Sequence, residues 1–210
     1  GAPRDPVKEY VTGNFTAARN GNAAPFGTQN VIAAWWGGNY IANCTGGAPG
    51  FWSQCVPEDW ALLLLQDSFP SGHPGWLGFA WLSQADIQSF FKRTNGYPGC
   101  SQPHSPASCQ AERLYGQVTS CTIGQFMYPL GGFNSTFSHG CDTSPGQSGA
   151  AMYTTSLGGF HIFGVNSTER CTICSVAEEP SSTVRANPNL DKRLDSYIYN
   201  LMLNLRSMYP

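Results

Sequence analysis

Gly140-Cys141-Asp142-Thr143-Ser144-Pro145-Gly146-Gln147-Ser148-Gly149-Ala150-Ala151-Met152-Tyr153 is the stretch on which the reading of the chain turns. A serine between glycines, after a turn-rich run and before an apolar strand-like segment, suits a nucleophile on a tight loop. Glycine lets the backbone approach a substrate carbonyl with no side chain in the way. From such a loop the amides of Gly146 and Ser148 can converge on one point and stabilise an oxyanion. The four residues Gly146-Gln147-Ser148-Gly149 taken alone are also the composition of an ordinary surface turn. Their neighbours have to decide.

Outward from the loop, the 210 residues suffice for one large domain or two small ones with a sizeable core. A net charge of −2 with 11% charged residues gives no electrostatic case for nucleic acid or an anionic membrane. With 24 Gly, 15 Pro and 13% aromatics, the chain reads as turn-rich and mainly β. No apolar run approaches the roughly 18 residues of a membrane span, and no signal peptide stands at Gly1. Secretion would mean that a leader has already been removed.

Eight cysteines in a chain of this size favour an oxidising compartment. Proximity in sequence suggests the pairs Cys44–Cys55, Cys100–Cys109, Cys121–Cys141 and Cys171–Cys174, although connectivity does not follow from sequence. Cys171-Thr172-Ile173-Cys174 has the spacing of a redox or zinc pair, but no second ligand pair is spaced to complete a zinc site. No metal or organic cofactor is called for. Sequons begin at Asn14, Asn43, Asn134 and Asn166, in keeping with a secreted glycoprotein.

Several motifs in order carry more weight than the serine loop alone. Asp142-Thr143-Ser144-Pro145-Gly146-Gln147-Ser148-Gly149 resembles the nucleophile loop of the glutamyl endopeptidase-like branch of the chymotrypsin-fold serine proteases. Pro57-Glu58-Asp59-Trp60-Ala61-Leu62-Leu63-Leu64-Leu65 resembles that family's strand bearing the triad aspartate. Gly75-Trp76-Leu77-Gly78, Asn95-Gly96-Tyr97-Pro98-Gly99 and Phe163-Gly164-Val165-Asn166 follow in the family's order. The resemblance runs from about Phe15 to the C-terminal helix. It implies a double six-stranded antiparallel β-barrel with a C-terminal helix, the first barrel incomplete in this chain. Residues 1–74 would be the remainder of the first barrel, 75–188 the second barrel and 189–210 the helix. Ser148 would be the nucleophile, Asp59 the residue orienting a histidine, and Gly146 and Ser148 the oxyanion donors. Thr143, Asn166 and Ser167 would shape the first substrate subsite. The family reads a substrate carboxylate with a histidine where Asn166 stands, and asparagine brings hydrogen bonds but no charge. Selectivity for glutamate therefore stays open. A glycan on Asn166 would also obstruct that subsite. Asp142 belongs either to the pocket base or to the loop scaffold.

The family's histidine precedes the aspartate, in a Thr-Ala-Ala-His-Cys context, and this chain has no histidine before Asp59. Its four are His73, His104, His139 and His161. His73 and His104 read as surface loop and His161 as a strand residue. His139, nine residues before Ser148, would need a geometry the family does not use. Two explanations compete. A separate light chain could supply both the histidine and the missing barrel strands, Gly1 being a new N-terminus made by cleavage. Alternatively Thr16-Ala17-Ala18-Arg19 is the histidine motif with arginine substituted, and arginine stays protonated and cannot act as a base. The protein would then bind rather than cut. The first explanation is preferred, because no Gly-Ser-Gly turn and apolar strand precede Thr16. The expected partners are the light chain and a protein or peptide substrate.

Coarser expectations fill in the chain. Residues 28–41 alternate as one or two strands, with Trp35-Trp36-Gly37-Gly38 closing a turn, and 43–56 is a loop. Residues 76–81 form a strand, 83–93 a short helix capped by Ser83, and 95–99 a turn. Residues 115–123 and 125–130 pair as strands, and 160–165 is a strand lining the subsite. Residues 189–209 form the clearest helix. Leu194, Ile198, Leu201 and Leu205 recur at spacings of 4, 3 and 4 on one apolar face, behind a cap at Asn189 or Asp191.

Overall fold

A computed structural model describes residues 7–44, 51–69, 75–100, 109–110, 112–116, 120–130, 133–141, 143, 146–168 and 189–209. Two antiparallel sheets and a C-terminal helix make up most of it. The first sheet is built around β3 (Thr28–Trp36), with β4 (Ala61–Leu65) along one side. The other side of β3 is shared end to end by β1 (Val7–Glu9) and β2 (Gly13–Thr16). The pleat sorts the side chains. Trp35 lies opposite Leu62 and Ala33 opposite Leu64 on the face that joins the core, whereas Leu63, opposite Ala34, is 51% exposed.

Between β3 and β4 the chain forms two short helices, α1 (Tyr40–Cys44) and α2 (Phe51–Cys55), joined by the Cys44–Cys55 disulfide. The sequence reads as a loop here because neither segment is long enough to show a helical period. A 3-10 turn, Val56–Glu58, with proline in its first positions, then hands the chain to Asp59.

The second sheet runs β7-β6-β10-β11-β12-β9-β8. In chain order these are β6 (Lys92–Gly96), β7 (Tyr115–Gly116), β8 (Ile123–Leu130), β9 (Phe133–His139), β10 (Ala151–Thr154), β11 (His161–Thr168) and β12 (Asn189–Arg193). A two-residue strand, β5 (Gly78–Phe79), adds in parallel to the start of β11. Among the described residues neither ladder closes on itself, so the sheets are open rather than closed barrels. Helix α3 (Gln84–Ser89) begins at Ser83 with a reciprocal capping box to Asp86, as the sequence suggests, but it ends at Ser89, and Lys92 and Arg93 of the helix expected over 83–93 belong to β6.

Several expectations need correction. Of the strand expected over 76–81 only Gly78–Phe79 forms. The turn expected at 95–99 begins later, because Asn95 and Gly96 still pair with Gly116 and Tyr115. The strands of 115–130 do not pair with each other: β7 joins β6, and β8 joins β9. The helix expected over 189–209 is α4 (Ser196–Met208), and Asn189–Arg193 is instead a central strand. Its cap is Asp195, whose carboxylate accepts from the Ile198 amide at 3.0 Å, and not Asn189 or Asp191. The apolar spacing that marks the helix includes Leu194, which lies just outside it but buries into the same core.

Two apolar cores result. One, under the second sheet, gathers Ile87, Phe137, Met152 and Phe163 around the buried Cys121–Cys141 disulfide. The other joins Ala33, Trp35 and Trp60 of the first sheet region to Leu194 and Ile198, with Val165 of β11 packed against it. This second core fixes the Asp59 turn against the second sheet. The Cys100–Cys109 disulfide also forms, while Cys171 and Cys174 lie outside the described residues. No described helix is long and apolar enough to cross a membrane.

Candidate active site

Ser148 sits in a turn that only glycine could build at two of its positions. Gly146 has φ +98°, and a Cβ there would run into the Gly99 amide. Gly149 has φ +85°, again in the region that L side chains avoid. Gly146 thereby rests directly on the Pro98-Gly99 segment, one of the stretches singled out in the sequence. Ser148 itself is exposed and Gln147 beneath it is buried. Among the described residues no backbone hydrogen bond takes up the amides of Gly146 and Ser148.

The turn is clasped to β11 through one residue. The Gly149 amide donates to the Asn166 carbonyl at 2.7 Å, and the Asn166 amide donates to the Ala150 carbonyl at 2.8 Å. The Asn166 side chain adds Nδ2 to the Gln147 carbonyl at 3.1 Å. Asn166 is 4% exposed. Its amide is thus committed to the Ser148 turn, a task different from the substrate contact expected of it. Burial equally closes its sequon to a glycan in the folded chain. Asn14 is exposed, whereas Asn43 and Asn134 are half-buried.

Ser167, next along β11, connects the two residues that the resemblance selects as aspartate and serine. The Ser148 hydroxyl donates to the Ser167 carbonyl at 3.3 Å. The Ser167 hydroxyl donates to Asp59 Oδ2 at 2.5 Å, across 108 residues of chain. Burial raises the Asp59 carboxyl above its ordinary value, and the Ser167 hydrogen bond opposes that rise. Sequence reasoning placed Ser167 in a subsite and missed this bridge. The available signal was the polar run Asn166-Ser167-Thr168 ending an otherwise apolar strand.

Thr143 is half-buried, and its Oγ accepts from Asn189 Nδ2 at 2.8 Å, which leaves the hydroxyl hydrogen to donate elsewhere. Asp142 lies outside the described residues, as do His73 and His104. The other two histidines are engaged away from Asp59. His139 is fully buried; its Nδ1 accepts from the Cys141 amide at 3.2 Å, and its Nε2 lies 2.9 Å from Asp191 Oδ1. That last approach is too oblique to count as a hydrogen bond, so it is an electrostatic contact. His161 Nδ1 lies 3.0 Å from the Gly159 carbonyl, and its ring packs on Gly78. Arg19 forms a surface ion pair with Glu112 at 2.7 Å. No cluster of three or more potential metal-binding side chains occurs among the described residues.

No protein-family model matches the chain, and no curated protein matches it. What the site can do rests on its own geometry: an exposed serine on a glycine turn, linked through one serine to a half-buried aspartate.

Proposed function

We propose that this chain is the heavy chain of a secreted serine endopeptidase of chymotrypsin-type architecture, whose catalytic histidine comes from a polypeptide segment outside these residues. The observation that carries this reading is the line Asp59–Ser167–Ser148, which brings together an aspartate and a serine that one family resemblance selects from two separate stretches of the chain. In the reaction, Asp59 orients the incoming imidazole and stabilises its protonated form. The imidazole takes the Ser148 proton as the oxygen attacks the scissile carbonyl, then returns it to the leaving amine. The amides of Gly146 and Ser148 receive the negative charge of the tetrahedral intermediate. Thr143 offers a hydroxyl donor to the substrate side chain. Water then hydrolyses the acyl-enzyme by the reverse proton path.

The outer edge of β4 supports the same reading. It carries four leucines beginning three residues after Asp59, and among the described residues no strand pairs with that edge. An apolar edge of this kind is an aggregation hazard unless another strand covers it. A light-chain strand seated there would enter beside Asp59. The three disulfides agree with an oxidising, extracellular setting.

The rival reading is an inert protease-like binding protein, favoured by the engagement of His139 and His161 elsewhere. Cleavage of an unfolded protein substrate by the native, purified protein separates the two. Ser148→Ala should lower turnover about a millionfold, and Asp59→Asn about 10⁴-fold. Activity that survives Ser148→Ala would contradict the proposal.

A further inference from the structure

The clasp on the Ser148 turn has a chemical direction. In a trans peptide the carbonyl of one residue and the N–H of the next point to opposite sides of the same plane. The Gln147 carbonyl and the Ser148 N–H belong to one such plane. That carbonyl accepts two hydrogen bonds, from the Ala150 amide at 3.0 Å and from Asn166 Nδ2 at 3.1 Å. Two donors occupy both of its lone pairs. The plane is therefore held from its buried side, and the Ser148 N–H is turned the other way.

We propose that Asn166 is a positioning residue for the oxyanion hole, aiming the Ser148 amide by holding the Gln147 carbonyl. This rests on the reading of Ser148 as the nucleophile. It replaces the expected part of Asn166 in substrate recognition. The backbone bonds from Asn166 to Gly149 and Ala150 would survive substitution by Ala or Asp, so only the side-chain amide is at stake. A cost accompanies that amide: Asn166 Oδ1 is buried with no hydrogen-bond partner, and an orphaned acceptor is unfavourable. An apolar side chain would avoid the cost but could not donate to Gln147.

The test is the rate at which a fluorophosphonate modifies Ser148 in the native protein, compared for wild type, Asn166→Ala and Asn166→Asp. Losing an oxyanion donor outright costs roughly 100- to 1,000-fold, so misaiming one should cost on the order of 10- to 100-fold. At neutral pH both variants should be slowed by that factor, with thermal unfolding measured alongside. Asn166→Asp carries a further signature. Its buried carboxyl has a raised pKa and, once protonated, regains a donor for the Gln147 carbonyl. Its rate relative to Asn166→Ala should therefore climb as pH falls through the mildly acidic range. Wild-type rates in both variants would overturn the proposal, as would slowing with no such recovery. If wild type itself is unreactive, the nucleophile reading fails instead. The crystal structure of Asn166→Ala then decides the inference: a Gln147–Ser148 peptide plane rotated or split supports it, and an unchanged plane overturns it.

Discussion

Under the proposed function, Asp59 would serve chemistry at the expense of stability. Its carboxyl is raised by burial, so the ionised form is disfavoured in the folded chain relative to the unfolded one. The sign follows from linkage. Below the ordinary value of 3.8 both states are protonated and there is no cost. The cost grows as pH climbs through the raised folded value, and above that it stays constant. Asp59→Asn keeps an oxygen to accept from Ser167 and removes the charge. The variant should therefore be more resistant to urea than wild type at pH 7 and equal to it near pH 3, while losing activity. Urea midpoints at the two pH values check this. A lower midpoint for the variant at pH 7 would show that the ionised carboxylate stabilises the fold.

At the scale of elements, β12 and α4 explain both what the sequence reveals and what it conceals. The 4-3-4 apolar spacing of Leu194, Ile198, Leu201 and Leu205 exposes the helix, because a helix buries one stripe. The strand before it stays hidden. Asn189-Leu190-Asp191-Lys192-Arg193 reads as polar, yet Leu190 to Arg193 are all buried, and Lys192 and Arg193 find partners in Asp195, Asn134 and Leu82 that no local pattern announces. Lys192 Nζ meets Asp195 Oδ2 at 2.7 Å, so the cap of α4 is also the partner of a buried ammonium. Burial drives the Lys192 pKa down, and Asp195 opposes that shift. Asp195→Ala should therefore cost about 3–5 kcal/mol, the penalty for stranding a buried charge, and not only the ~1 kcal/mol of a lost cap. Combining it with Lys192→Met should cost less than the two single changes summed. Urea denaturation of the four proteins in that cycle measures the difference. The same limit governs the site: the glycine turn and the Asp59 strand are visible as motifs, whereas Ser167 and Asn166 act through contacts with residues far away in sequence.

At the scale of the whole molecule, the described residues form two open sheets, an apolar strand edge beside Asp59, and a serine–aspartate line in which neither described histidine takes part. Under the proposed function, a further segment that carries an imidazole would complete them. Denaturing intact mass after treating the native protein with a fluorophosphonate tests this most directly. The account predicts two species, this chain with one adduct mapped to Ser148, and a smaller, unlabelled, histidine-containing chain. A single unlabelled species would contradict it and leave the inert binding protein as the reading of the site.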